Sequence, residues 1–295
     1  MKDKIKKPRR HRLFHRRVGR SLGGDISMTV VLLLFGIFTA FPLVYAIGNA
    51  FKPLNEFFVF PPHFIPEEPT TQNFSDLINL LGNSMVPFSR TLFNTVFITA
   101  VGTFGLILLA SMCAYPLAKK QFPGRNAIFK IIVSALLFNG SVTAVPLYIV
   151  MSKLHLVDNY LVMILPAFGL PMGLYIMKQF MEQMVPDTMI EAAYIDGAKD
   201  FRVFWSIVMP MVRPAWLTLI IFSVQALWST GANVLIYSDE YKTLAYSLSQ
   251  IATSGLSYAG VGGAVNLIMM SVPIVVFILT QSNVTEAMST SGMKE

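Results

Sequence analysis

Long runs without a charge dominate the pattern of this chain. Residues 26–51, 91–118, 131–152, 159–177, 214–238 and 243–285 contain no Asp, Glu, Lys or Arg. A charged side chain at the centre of a spanning helix costs about 2.5–3.5 kcal/mol, so spans should be free of them. Crossing the hydrocarbon takes roughly 20 residues, about 30 Å at the helical rise. The last window is too long and begins polar, which narrows its span to 261–281. The pattern therefore predicts an all-α integral membrane protein with six transmembrane helices. Between the first two windows, the apolar pieces 57–60 and 77–81 are too short to cross. Pro53, Pro61, Pro62, Pro66, Pro69 and Pro87 make this outer loop (52–90) turn-rich, with room for one short helix over 74–81.

Composition agrees: 54% of residues are hydrophobic and 13% charged, against about 25% charged in soluble domains. The 23 Lys and Arg are unevenly placed. With the N-terminus inside, nineteen lie on the inner side and only Lys52, Arg90, Lys153 and Lys242 outside. The positive-inside rule then puts both termini in the cytoplasm. Ten of these basic residues fall in the first twenty positions. They form a cationic arm (1–25) facing anionic lipid rather than a nucleic-acid-binding face. The apolar stretch after the arm outruns a signal-peptide h-region, so the first span is expected to be retained. The six-span domain then covers 26–285, with a cytoplasmic loop at 182–213 and a cytoplasmic tail at 286–295. Five prolines within the spans (Pro116, Pro146, Pro166, Pro171, Pro273) favour a protein that moves.

Enzyme chemistry is hard to find. No metalloprotease, nucleophile-elbow or phosphate-loop motif is present. The single Cys113 makes a protein-only zinc or iron–sulfur site improbable. No Asp, Glu, Lys, Arg or His lies within a predicted span, so a proton relay has no obvious carrier. No catalytic residue, metal or chain-bound cofactor is expected. The spans do hold neutral polar and aromatic groups: Asn94, Asn139, Ser141, Tyr175, Gln225, Trp228 and Asn233. These suit an uncharged, hydroxyl-rich solute on a pathway. The competing reading is that each ties neighbouring helices together, as such residues do in membranes.

The cytoplasmic loop carries the most specific pattern: Glu191-Ala192-Ala193-Tyr194-Ile195-Asp196-Gly197-Ala198, then Ile207-Val208-Met209-Pro210. Pro186 and Asp187 should start a helix, Gly197 should break it, and Asp200 should cap a second. The result is a compact knob with small residues at its joint. Glu-Ala-Ala, three residues, Gly, nine residues, then Ile-x-Leu-Pro resembles the signature of permease subunits of binding-protein-dependent ABC importers, with Met209 in place of Leu. Phe51-Lys52, Glu56, Pro61-Pro62, Pro66, Pro69-Thr70 and Asn73-Phe74 resemble the carbohydrate (maltose-type) branch. So do Leu117-Ala118 before Phe122-Pro123-Gly124-Arg125, and Pro146 with Leu156. Ser229 follows Trp228 where many sugar permeases have Asn, and the tail after Gln281 departs from the common ending.

The resemblance implies a type I ABC importer permease fold in the bacterial cell membrane. It implies a second homologous permease, two ATPase subunits holding ATP and Mg, an extracytoplasmic solute-binding protein, and a sugar or oligosaccharide as cargo. Glu191, Ala192, Ala193, Asp196, Gly197, Ala198, Ile207 and Pro210 would couple this chain to the ATPases. A non-sugar solute carried by the same machinery is the nearest rival. A membrane enzyme or scaffold is a more distant one.

Overall fold

The computed structural model describes residues 22–82, 86–138, 140–231, 235–253 and 255–291. Among them every regular element is helical. Residues 1–21 of the basic arm, Asn139, Asn233 and the last four residues lie outside the described set.

The chain divides into two units, with the boundary between Ala46 and Ile47 inside the first helix, α1 (Leu22–Phe51). The first unit is mostly this helix. Apolar side chains occupy every face, and the Thr39 hydroxyl donates back to the Phe35 carbonyl at 2.9 Å. A helix so built has no polar face to show to water.

The second unit begins with a short 3-10 helix (Leu54–Phe58), then α2 (Gln72–Gly82) and α3 (Phe88–Lys119). The proline-rich segment after α1 is tied down rather than loose. Asn73 Nδ2 donates to the Ala50 and Lys52 carbonyls, both at 2.9 Å. The buried Glu56 carboxylate accepts the backbone N–H groups of Glu67 and Glu68. The short helix expected over 74–81 is α2.

α3 is the hub. It packs against α6 (Leu161–Phe168), α7 (Pro171–Met184) and α11 (Arg213–Trp228). Small residues let the backbones approach closely. A Cβ added at Gly105 would lie 2.0 Å from the Phe168 ring, and one at Gly102 2.5 Å from Leu227. At one end of the hub a buried cluster joins Leu106, Ala110, Ala114 and Tyr115 of α3 to Met177 and Met181 of α7. At the other end, α2, α12 (Leu244–Ala252) and α13 (Ala259–Ser291) enclose Leu77, Trp228, Leu248 and Ala264.

Among the described residues, four helices are long and apolar enough to cross a membrane: Ile26–Phe51, Phe88–Lys119, Leu161–Met184 and Ala259–Ser282. Two further pairs qualify only as bent units. α4 (Arg125–Ala135) and α5 (Gly140–Lys153) are inclined at 109°, and Asp200–Met211 meets α11 at 75°. Predicted and observed boundaries differ where the absence of charge and helix propensity part company. The window 214–238 runs on in sequence, but α11 ends at Trp228. There Ser229, Thr230 and Gly231 stop the helix, and the chain turns back through 235–243. Conversely, the helix expected to finish at 177 continues to Met184. It therefore takes in Lys178 and Glu182, which the charge-free windows left outside the spans. Lys178 is buried, donates to Glu182 at 2.7 Å, and lies 4.1 Å from the Phe129 ring centroid. Arg125 reaches the same carboxylate at 3.3 Å. Charge enters the span because it arrives already paired.

Candidate functional site: a helical hairpin

The knob is a helical hairpin. α8 (Asp187–Ile195) opens with Pro186 at its N-cap and Asp187 in its first turn, as their chemistry dictates. It closes in a Schellman turn: the Ala198 N–H reaches the Ala193 carbonyl at 2.9 Å, and Gly197 N–H the Tyr194 carbonyl at 3.0 Å. Gly197 has φ +78°, the left-handed value that this turn needs. A Cβ there would meet no atom within 4 Å, so within this chain the glycine serves backbone conformation, not close packing. α9 (Asp200–Val203) then leads through a wider π-helical stretch, Phe204–Val208, into α10 (Met209–Met211).

The hairpin has two unlike faces. Ile190, Ala193, Val203, Phe204 and Val208 are buried against α3 and α7 in the core cluster, with Ala198 and Ile207 packed on its margin. On the other side Ile195 is 86% and Phe201 71% exposed, and Trp205 is edge-on to Phe201 with centroids 6.2 Å apart. Glu191, Ala192, Asp196, Gly197 and Pro210 are exposed as well. Of the expected coupling residues, only Ala193 is fully buried.

Two lysines at the end of α3 grip the hairpin. Lys119 Nζ donates to the Val185 carbonyl at 2.6 Å and to Asp187 at 2.8 Å. Lys120, just past the helix end, donates to Asp200 at 2.6 Å and to the Tyr194 hydroxyl at 2.7 Å. Tyr194 also donates to Asp200, and its hydroxyl lies 3.2 Å from that of Tyr115. The hydrogen bond from Lys120, then that from Tyr194, holds the Asp200 carboxyl below its usual range. Burial, and then the bond to Asp200, pushes the Tyr194 hydroxyl up. Sequence reasoning missed these partners, because charges after a span read only as topology signals.

The described polar span residues have separate surroundings. Asn94 is fully buried and fully engaged: Nδ2 donates to the Glu240 and Lys242 carbonyls, and Oδ1 accepts from Tyr160 at 2.7 Å. Tyr175 stacks on Phe129, with centroids 6.1 Å apart. Trp228 is buried, and its Nε1 has no hydrogen-bond partner among the described residues. Ser141 and Gln225 are exposed. Asn139 and Asn233 lie outside the described residues. A residue not singled out from sequence, Asp158, ties down the segment after α11. Its carboxylate accepts the Tyr237 and Ser238 N–H groups, at 3.1 and 2.9 Å, and the Ser238 hydroxyl. Burial pushes its carboxyl upward, but the bonds from Ser238 and Tyr237 leave it below the usual range.

The fold and the hairpin can be set beside known proteins. Protein LplC of Bacillus subtilis is 31% identical over 235 residues, which cover 78% of this chain and 75% of that one. The polygalacturonan/rhamnogalacturonan transport system permease protein YtcP of the same organism is 30% identical over 216 residues, 73% of each chain. The sn-glycerol-3-phosphate transport system permease protein UgpE of Yersinia enterocolitica is 31% identical over 241 residues, 79% of this chain and 84% of its own. The crystal structure of a bacterial ABC transporter involved in the import of the acidic polysaccharide alginate contains a chain of similar fold. The TM-score is 0.73 at 22% identity, over 91% of this chain and 98% of that one. Residues 32–289 match the model of one family across most of the chain, including the whole hairpin. The chain belongs to the family of binding-protein-dependent transport system inner membrane components.

Proposed function

We propose that this chain is one of two homologous permeases of an ATP-driven importer, and that it lets a sugar or oligosaccharide pass inward. Two ATPase subunits work on its cytoplasmic side, where ATP and Mg belong to them. A solute-binding protein delivers cargo from outside. The chain crosses the membrane six times with both termini in the cytoplasm, each bent pair counting as one crossing. The basic arm 1–25 and the tail 286–295 lie on the same side as the hairpin.

One observation carries this reading. The hairpin is fixed to the chain's core through one face while presenting Ile195, Phe201 and Trp205 on the other. Side chains so apolar, held on a rigid turn at the end of a membrane protein, fit a partner's cleft better than water. Glu191, Ala192, Asp196, Gly197 and Ala198 surround them. Ala193, Ile207 and Pro210 set the hairpin's seat and its return to α11. The names of two relatives support the cargo: polygalacturonan/rhamnogalacturonan for one and diacetylchitobiose for another.

The pathway face is read from α11. Phe222, Gln225, Ala226 and Ser229 share one side at helical spacing and are all exposed. Ser141 and Tyr175, together with Asn139 and Asn233, which lie outside the described residues, would add hydroxyl-binding groups and an aromatic ring elsewhere along that pathway. Trp228, buried on another side of α11, and Asn94, buried in α3, would serve the packing around the pathway rather than its surface. The test is ATPase co-purification with an Ile195→Asp variant. Loss of the ATPases from an inserted, abundant chain is expected. Retention with normal uptake would remove the docking role.

A further inference from the structure

Resting on the docking role of the hairpin, we infer that Lys119 and Lys120 form a clamp that makes α3 move with the hairpin, so that force from the ATPases enters the permease through α3. The two adjacent ammonium groups hold separate parts of the hairpin. Lys119 takes the start of α8, through the Val185 carbonyl and Asp187. Lys120 takes the start of α9, through Asp200, and the end of α8, through Tyr194. Lys120 also lies 4.8 Å from the Tyr194 ring centroid, a cation–π contact added to its hydrogen bonds. Tyr115, one turn before Lys119 on α3, adds its hydroxyl to that of Tyr194.

Packing alone gives no such direction. The apolar face of the hairpin packs in one buried cluster with residues of α3, α7 and α11 alike. The charged and hydroxyl contacts run to α3. α3 is also the helix against which α6, α7 and α11 all pack, so a pull on its end reaches most of the second unit. The Lys119 side chain is 5% exposed. Its stem is therefore held by packing, and the Val185 carbonyl is the steadier of its two anchors, because Asp187 is 74% exposed. These lysines are positioning residues, because they touch neither solute nor nucleotide.

Cys113 supplies a reporter. It is the chain's only cysteine, exposed on α3 about two turns before Lys120. The assembled importer, its other chains freed of cysteine, is spin-labelled at Cys113 and compared before and after trapping with ATP and orthovanadate. The expected result is a nucleotide-dependent spectral change in the parent. Lys120→Met halves the change and Lys119→Met/Lys120→Met abolishes it, while the ATPases stay bound and hydrolyse ATP. Lys120→Arg and Tyr194→Phe keep the hairpin's packing if the methionine variants fail to insert. Arginine should preserve the response and the phenylalanine variant should reduce it. An undiminished change in the double variant, or no change in the parent, overturns the clamp. So does loss of ATPase binding in Lys120→Met, since the contacts would then shape the hairpin rather than transmit its motion. Ile195→Asp separates the two ideas: if it too leaves the ATPases bound, the docking role itself has failed.

Discussion

Gly197 holds a left-handed conformation with open space around it, so a side chain there meets backbone strain before it meets any other atom of the chain. Gly197→Ala should cost about 1–2 kcal/mol, the penalty for a Cβ in that conformation. Gly197→Asn should cost less, because a short polar side chain tolerates it. Thermal unfolding of the purified chain in detergent measures both. Gly197→Asp tests something else. It too suits the turn, yet an unpaired carboxylate carried into a packed cleft costs several kcal/mol. An inserted, stable Gly197→Asp chain without its ATPases is therefore the expected outcome. Asp158 gives a second prediction at this scale. Its carboxyl is depressed in the fold, so its stabilising effect is complete above the unfolded value, about 3.9. It is lost as pH falls through the lower folded value. Amide exchange at Tyr237 and Ser238 should quicken at acid pH in the parent, and be fast at every pH in Asp158→Ala.

Among the elements, α11 shows why polar residues in a span resist assignment from sequence. Gln225 and Trp228 are one turn apart, yet the first is exposed and the second buried among Leu77, Leu244 and Val261. Gln225→Ala should leave the subunits assembled and alter uptake. Trp228→Ala should cost roughly 3–5 kcal/mol of packing and lower the yield of intact complex. Subunit co-purification beside uptake in the same cells distinguishes them; the reverse pattern would exchange their roles. The bent pair α4–α5 bears on topology. If it is one crossing, a reporter active only outside should work at Pro69 and Tyr241 and fail at Gly124 and Gly197. Activity at Gly124 would break the six-span order. The helical class and the centres of the apolar helices were legible because lipid penalises charge so heavily. Their ends were not, since Lys178 shows that a paired charge is tolerated and Ser229 that a charge-free stretch need not be helical. The hairpin's turn could be read because Pro186, Asp187 and Gly197 each have one strong local preference. Asn94 could not: its partners, Tyr160 and the carbonyls of Glu240 and Lys242, lie far off in the chain.

For the whole molecule, the family and the fold agree that this is an inner-membrane transport component, and the hairpin is where its work is expected to connect to chemistry done elsewhere. The lysine pair, the Schellman turn and the buried inner face all hold one small apolar surface in a fixed place. The direct test is a photo-crosslinking amino acid placed at Ile195 in the complete importer, with a second at Phe60, 92% exposed in the proline-rich segment after α1, as control. Crosslinking from position 195 to a chain that binds ATP, and none to that chain from position 60, is the expected result. Position 195 yielding only lipid or unlinked chain, while the importer remains active, would contradict the docking of this hairpin on an ATPase.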